Sequence, residues 1–121
     1  MVLAWGCDGT LISGADGIAV GTGEQNAIDI EAGCTTAGRA ADICANLSLG
    51  GYSDWFLPSK DELNLMYNKL KVAGVDGFTD YYYWSSSENN ANTAWTQYFL
   101  DSLQTFIGKT AGLRVRAVRA F

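Results

Sequence analysis

The order of segments along this chain predicts an α+β domain: short strands and turns first, two helices next, then an antiparallel meander. Three observations carry that prediction. Residues 59–62 read Ser-Lys-Asp-Glu ahead of an apolar stripe, the signature of a helix start. Residues 35–47 place small and apolar side chains at helical spacing, and from Tyr81 onward apolar and aromatic runs alternate with polar or glycine turns. The expected architecture is two helices packed on a small, mostly antiparallel twisted sheet, forming one domain over residues 1–121.

Each element has its own local reason. Val2 to Trp5 is a short apolar run, and Gly6 breaks it. Six glycines fall within residues 6–23, so this stretch reads as a hairpin or a meandering loop. Ala27 to Glu31 alternates, with Ile28 and Ile30 on one side, and predicts a half-buried strand. Thr35 or Thr36 caps a helix to about Leu47, whose face carries Ala37, Ala40, Ala41, Cys44 and Leu47, and Gly50-Gly51 stops it. The second helix starts at the N-cap Ser59, with Glu62 reaching back and Pro58 setting the entry. Leu63, Met66, Tyr67 and Leu70 form its apolar stripe, and Gly74 or Gly77 ends it. Strands are expected at Tyr81–Ser86, Ala94–Leu100, Leu103–Ile107 and Leu113–Ala120, with Asp101-Ser102 as a two-residue hairpin turn.

Composition then narrows the function classes. Thirteen acids against eight Lys+Arg give a net charge of −5, which argues against nucleic acid, since such binding neutralises phosphates with a basic face. Apolar residues at 48% with charged residues at 17% exclude a disordered chain. No apolar run spans a bilayer, so membrane insertion is not expected. The chain has no His, which removes the commonest general base and metal ligand. Without His and without a Cys-x-x-Cys pair, no metal site and no cofactor are expected. The three cysteines allow at most one internal disulfide. Cys7–Cys34 would tie an N-terminal turn to the start of a helix, with Cys44 a buried thiol, but spacing leaves the bridged and reduced states equally open.

The catalytic constellations do not assemble. Gly21-Thr22-Gly23 lacks a third glycine for phosphate binding, Asp61-Glu62 is explained by capping, and Asp8, Asp16 and Asp29 match no calcium-loop register. Arg114, Arg116 and Arg119 crowd the last strand, which reads as central. Structural pairing with Asp54 and Glu88 is expected for them. Trp55, Trp84 and Trp95 read as core. Tyr81-Tyr82-Tyr83 must present a ring on each face of the sheet, beside the Asn-rich loop 89–92. Exposed tyrosines with Asn and Gln are the ingredients of a binding surface.

The block Gly50-Gly51-Tyr52-Ser53-Asp54-Trp55-Phe56-Leu57-Pro58-Ser59, continuing to Glu62-Leu63, resembles the Lcl C-terminal-like domains. These are named after the end of a collagen-like bacterial adhesin. Tyr83-Trp84-Ser85-Ser86-Ser87-Glu88, Ala94-Trp95, Phe99, Lys109 and the segment Val115 to Phe121 extend the likeness. So do Trp5-Gly6-Cys7, Gly21-Thr22-Gly23, Ala40, Ala41 and Cys44. The resemblance implies a C-type-lectin-like fold and a surface, secreted or phage-borne setting. It makes Trp55, Pro58, Glu62, Trp84, Trp95, Arg116 and Arg119 structural framework. In relatives diversified by retroelements, variation maps by position to Asn89, Asn90, Asn92, Thr96, Gln97, Tyr98, Leu100, Asp101, Gln104, Phe106 and Ile107. Two departures stand out. Only Met1 to Ala4 precede the Trp-Gly-Cys segment, where relatives carry a glycine-rich hairpin, so a minimal, truncated or strand-borrowing form is expected. The adhesin member binds sulfated glycosaminoglycans through a basic surface, whereas a charge of −5 argues against a polyanionic sugar here.

The resulting expectation is a non-enzymatic, extracellular or virion-surface recognition domain that binds a cell-surface glycan or protein. Its ligand face is Tyr81, Tyr82, Asn89, Asn90, Asn92, Gln97, Tyr98, Asp101, Gln104 and Phe106. A homo-oligomer is expected, with the adhesin's trimer as precedent. The alternative is an assembly module whose aromatic face forms the subunit interface of a fibre or oligomer. An enzyme related to the formylglycine-generating fold would need a reactive cysteine pair that the chain lacks. With no signal peptide visible, export would depend on an upstream region, another pathway or a phage particle.

Overall fold

A computed structural model of the chain describes residues 2–35, 38–71, 74 and 80–119, with only the backbone of Lys71. Thr36, Ala37, Gly77, Ala120 and Phe121, which figure in the expectations above, lie outside the described residues. The elements are α1 (Gly23–Gly33), α2 (Ala40–Ala45), α3 (Lys60–Met66), a π-helical turn over Tyr67–Lys71, β1 (Tyr82–Glu88), β2 (Thr93–Tyr98) and β3 (Gln104–Gly108). The α+β class holds. Among the described residues, however, there are three α-helices, and the named strands form one antiparallel sheet in the order β1-β2-β3.

The helix α1 replaces the strand expected at Ala27–Glu31. Gly23, Asn26, Ala27 and Ile30 are its buried residues, a spacing of three, four and seven. Ile28 instead stands 54% exposed, so the two isoleucines that suggested alternation lie on different faces. The next helix is shorter than expected. Gly38 adopts φ +81°, which a helix cannot continue through, and α2 starts only at Ala40. It also ends at Ala45, ahead of Gly50-Gly51. Those glycines, both at positive φ, form a separate turn closed by the Leu49–Tyr52 bridge.

The capping box of α3 is present as the sequence predicts. Ser59 Oγ accepts from Glu62 N at 3.3 Å, and Ser59 N donates to Glu62 Oε1 at 2.8 Å. The other Glu62 oxygen accepts from Gly21 N at 2.9 Å, so one carboxylate both caps α3 and holds the loop before α1. Gly23 makes this junction possible by letting α1 approach closely.

The sheet has helices on both sides. Trp84 and Ala94 pack with Trp5, Ile12, Ile30, Ala41 and Cys44 into one core. Tyr83 and Phe99 pack with Leu63 and Met66 into a second. The two layers follow from strand alternation, which sends adjacent residues to opposite faces. The turn after β2 is not the two-residue hairpin expected. Tyr98 N donates to Leu103 O, and Ser102 takes φ +70° inside a four-residue connection.

The C-terminal run also differs from expectation. Leu113 pairs with Leu3, Arg114 with Tyr83 and Val118 with Phe56, each as an isolated bridge. The segment is therefore a stitch across three parts of the fold and not a central strand. The N-terminal segment is locked by a reciprocal pair of indoles: Trp5 Nε1 donates to Ser85 O and Trp84 Nε1 to Leu3 O, both at 2.8 Å.

Glu88 does not pair with an arginine, as the sequence had suggested. Its partner is Lys109, at 2.6 Å, and both side chains are almost fully buried. Both carboxylate oxygens accept from Ile12 N, at 3.1 and 2.9 Å, while Lys109 Nζ also donates to Thr10 O at 2.9 Å and lies over the Trp5 ring. A disulfide joins Cys7 to Cys34, with Cα atoms 5.8 Å apart, and ties the same glycine-rich loop to the end of α1.

Removing one member of a buried, hydrogen-bonded ion pair leaves the other charge uncompensated. Lys109→Met should lose about 3–5 kcal/mol in urea unfolding, and adding Glu88→Leu should recover part of it. A Cβ at position 23 would overlap Glu62 Oε1 and stand 2.8 Å from Ser59 N. Gly23→Ala should therefore cost about 1–3 kcal/mol in the same measurement, although alanine favours helices.

Candidate functional site

The hairpin β1–β2 carries most of the predicted contact residues, and the sheet register separates them. Tyr82 faces Tyr98, Tyr83 faces Gln97, and Trp84 faces Thr96. On β3, Phe106 faces Trp95 and Gln104 faces Gln97. Because side chains alternate, Tyr82 and Tyr98 lie on the Trp84 face, whereas Gln97, Gln104 and Phe106 lie on the Tyr83 face. The loop with Asn89, Asn90 and Asn92 joins the far ends of β1 and β2, about 20 Å from Tyr98 at strand rise. The ten nominated residues thus form three groups and not one surface.

The groups differ in what they have left to offer. Asn90 Oδ1 accepts from Asn92 N, Thr93 N and Thr93 Oγ1, which closes the loop on itself. Asn89 donates to Thr93 Oγ1 and Asn92 to Asp8 Oδ1. Asp101 Oδ1 accepts from Leu103 N in the β2–β3 turn. These side chains are exposed, but their polar groups build turns. Gln97 is 0% exposed, which removes it as a contact residue: its amide donates to Asn64 Oδ1 and Ser102 O. Thr96, in the variable stretch, is likewise buried, with its hydroxyl on Thr105 O. Gln104 donates to Lys60 O and binds β3 to the start of α3.

The aromatic end of the sheet is different. Tyr82 and Tyr98 stack with centroids 4.5 Å apart and planes 19° apart. Tyr81, beside them, is 55% exposed, and the Arg114 guanidinium lies 4.3 Å from its ring centre. Leu100 and Leu103 are exposed in the adjoining turn. The result is a rigid aromatic rim with one cation behind it. Phe106 stands apart on the other face, half-exposed and edge-on to Trp95, with Lys60 over the Trp95 ring.

The expected framework residues are positioned unevenly. Trp84 and Pro58 are buried, and Glu62 holds the α1–α3 junction. Trp55 and Trp95, expected in the core, are only half-buried, whereas Trp5, with 1% exposure, is a core residue. Arg119 forms a two-point pair with Asp54 at 2.5 and 3.0 Å and stacks on Tyr52 at 3.5 Å. The pair lies at the surface, and Arg119's hydrogen bond holds the Asp54 carboxyl below the usual range. Arg116 and Arg119 line one apolar cavity of about 550 Å³ beneath Trp55, and Arg119 also borders a second of about 600 Å³ against Phe56 and Leu65. Sequence reasoning missed these cavities. The only local signal was Leu70, which extends the α3 stripe yet is 38% exposed.

Cys44 is buried, and burial pushes its thiol up to about 12, so it is not a nucleophile at neutral pH. Glu31 is raised mainly by burial, then by the charge and hydrogen bond of Asp42 across the α1–α2 contact. Its ionised form is thus disfavoured in the fold, so this site loses stability as pH rises through its folded titration. Glu31→Gln should raise the melting temperature at pH 7, with the gain shrinking toward pH 4, as read by thermal unfolding across pH.

The Lcl C-terminal domain family model matches residues 4–119, nearly the whole chain. No curated protein matches it.

Proposed function

We propose, from the premise that this chain belongs to the Lcl C-terminal domain family, that it is a surface-displayed recognition domain. Membership of the family points to an adhesin-type role at the surface. The finer reading is a non-enzymatic module, extracellular or on a virion, that holds a cell-surface glycan or protein receptor at the aromatic end of its sheet. The observation that carries it is the half-buried Tyr82–Tyr98 stack with the exposed Tyr81 and Arg114 beside it. Tyrosines offer large rigid area at small entropic cost, and their hydroxyls can bond a sugar or a peptide.

Other features support the setting. The Cys7–Cys34 disulfide suits an oxidising compartment. The Leu3–Leu113 pairing brings an early and a late segment side by side, and with the α+β layering this supports a C-type-lectin-like reading of the fold. The ligand face in this proposal is narrower than the sequence implied: Tyr81, Tyr82 and Tyr98 remain, and the Asn loop and Gln97 leave it. Weak single contacts would be raised by multivalent display.

Glycan-array and cell-binding assays should find Tyr82→Ala and Tyr98→Ala each weakened about tenfold or more, with unchanged melting temperatures. Light scattering on the same variants separates the assembly reading. If Tyr98→Ala turns an oligomer into monomers, the aromatic end is a subunit interface and the recognition reading fails.

A further inference from the structure

We propose that β3 is a self-pairing edge: two copies of this chain join antiparallel along Gln104–Gly108 about a two-fold axis at Phe106. Among the described residues, the sheet order β1-β2-β3 leaves β3 hydrogen-bonded to β2 on one side only. The ladder's parity says which of its groups are free. Tyr98 N donates to Leu103 O at one end and Lys109 N to Asn92 O at the other. With Trp95 opposite Phe106, the residues of β3 that bond β2 are therefore Thr105 and Ile107. The peptide groups of Gln104 and Phe106 and the N–H of Gly108 point outward, while Gly108 O also accepts from Ala111 N in the following turn; Phe106 and Gly108 are exposed.

Proteins usually blunt such an edge with a charge, a proline or a bulge. This edge has none of these. Residues 102–108 carry no charge, contain no proline and keep regular register with β2. Thr105, Phe106 and Ile107 are moreover strong strand formers. The occupant follows from charge and symmetry. On a chain of net charge −5, most surfaces of a second copy repel, and an uncharged edge is where two copies can meet. Pairing about Phe106 sets Gln104 against Gly108, Asp101 against Ala111 and Lys109 against Leu103 of the other copy, so no like charges face each other. Phe106, now edge-on to Trp95 with 51% of its surface exposed, gains the other copy's ring beside it. The Trp95–Phe106 pair then continues as a four-ring ladder across the axis.

The test is a concentration series in light scattering on the intact chain. The wild type should rise from 13.0 kDa toward about twice that mass. Phe106→Lys and Phe106→Glu should each stay monomeric, with association weakened about tenfold or more by like charges on the axis. Mixing the two variants should restore dimers, because Lys then faces Glu. A second measurement uses only the wild type: the Phe106 amide should exchange slowly at high concentration and fast on dilution, while Thr105 and Ile107 stay protected throughout. A monomer at every concentration, a mass indifferent to both variants, a failure of the mixture to pair, or a Phe106 amide that exchanges fast throughout would overturn the proposal. Tyr98→Ala should leave the mass unchanged, so loss of this edge and loss of the recognition surface are read separately.

Discussion

The buried pairing of Glu88 with Lys109 is the constraint on which the rest of this fold leans. Residues 6–23 contain six glycines and form no named strand, so their own backbone preferences would not hold one path. The ion pair supplies the path. Glu88, at the end of β1, receives Ile12 N, and Lys109, just past β3, bonds Thr10 O. A flexible loop is thereby pinned to both outer strands of the sheet at once. The disulfide and the Trp5 and Trp84 indole bonds fasten the same region from other sides. Two charges in an apolar setting are costly unless every lone pair and proton is matched, and here the backbone of the loop does the matching. The loop and the pair each complete the other.

A comparable economy appears at Glu62. One carboxylate closes the α3 capping box and receives Gly21 N, so a local helix signal also sets a long-range packing distance. The Ser85-Ser86-Ser87 run has a similar double use. Ser85 Oγ reaches Trp95 O across the sheet, and Ser87 Oγ donates to Gly17 O while accepting from Lys60 N. Small polar side chains on a buried strand can serve as cross-links only when partners converge on them from several elements, which is the arrangement here.

Elements whose cause is local were legible in the sequence. The Ser59–Glu62 box, the three hairpin strands and their polar loops rest on neighbours within a few residues. The helix α1 was not legible because Ile28 and Ile30 imitate alternation, and the burial that decides the matter comes from Asn26 and Gly23, residues without apolar weight. The arginine-rich end was misread for a related reason. Its residues Leu113, Val118 and Arg114 pair one at a time with Leu3, Phe56 and Tyr83, contacts of long sequence separation that periodicity does not encode. At the candidate site, residue type was a fair guide to the exposed Tyr81 and the half-buried Tyr82 and Tyr98 but a poor one to Gln97. A glutamine on a strand reads as surface, yet Asn64 and Ser102 satisfy it inside. Glu88 was matched to the wrong cation because nothing local to Lys109 signals a partner 21 residues away.

The lone thiol has a practical consequence. Cys44 is enclosed on the inner face of α2, and the other two cysteines are bonded to each other. An alkylating reagent therefore meets no reactive sulfur until this part of the fold opens. The rate of Cys44 labelling in the native chain is then a direct clock for the opening of α2 against the sheet, with no engineered probe.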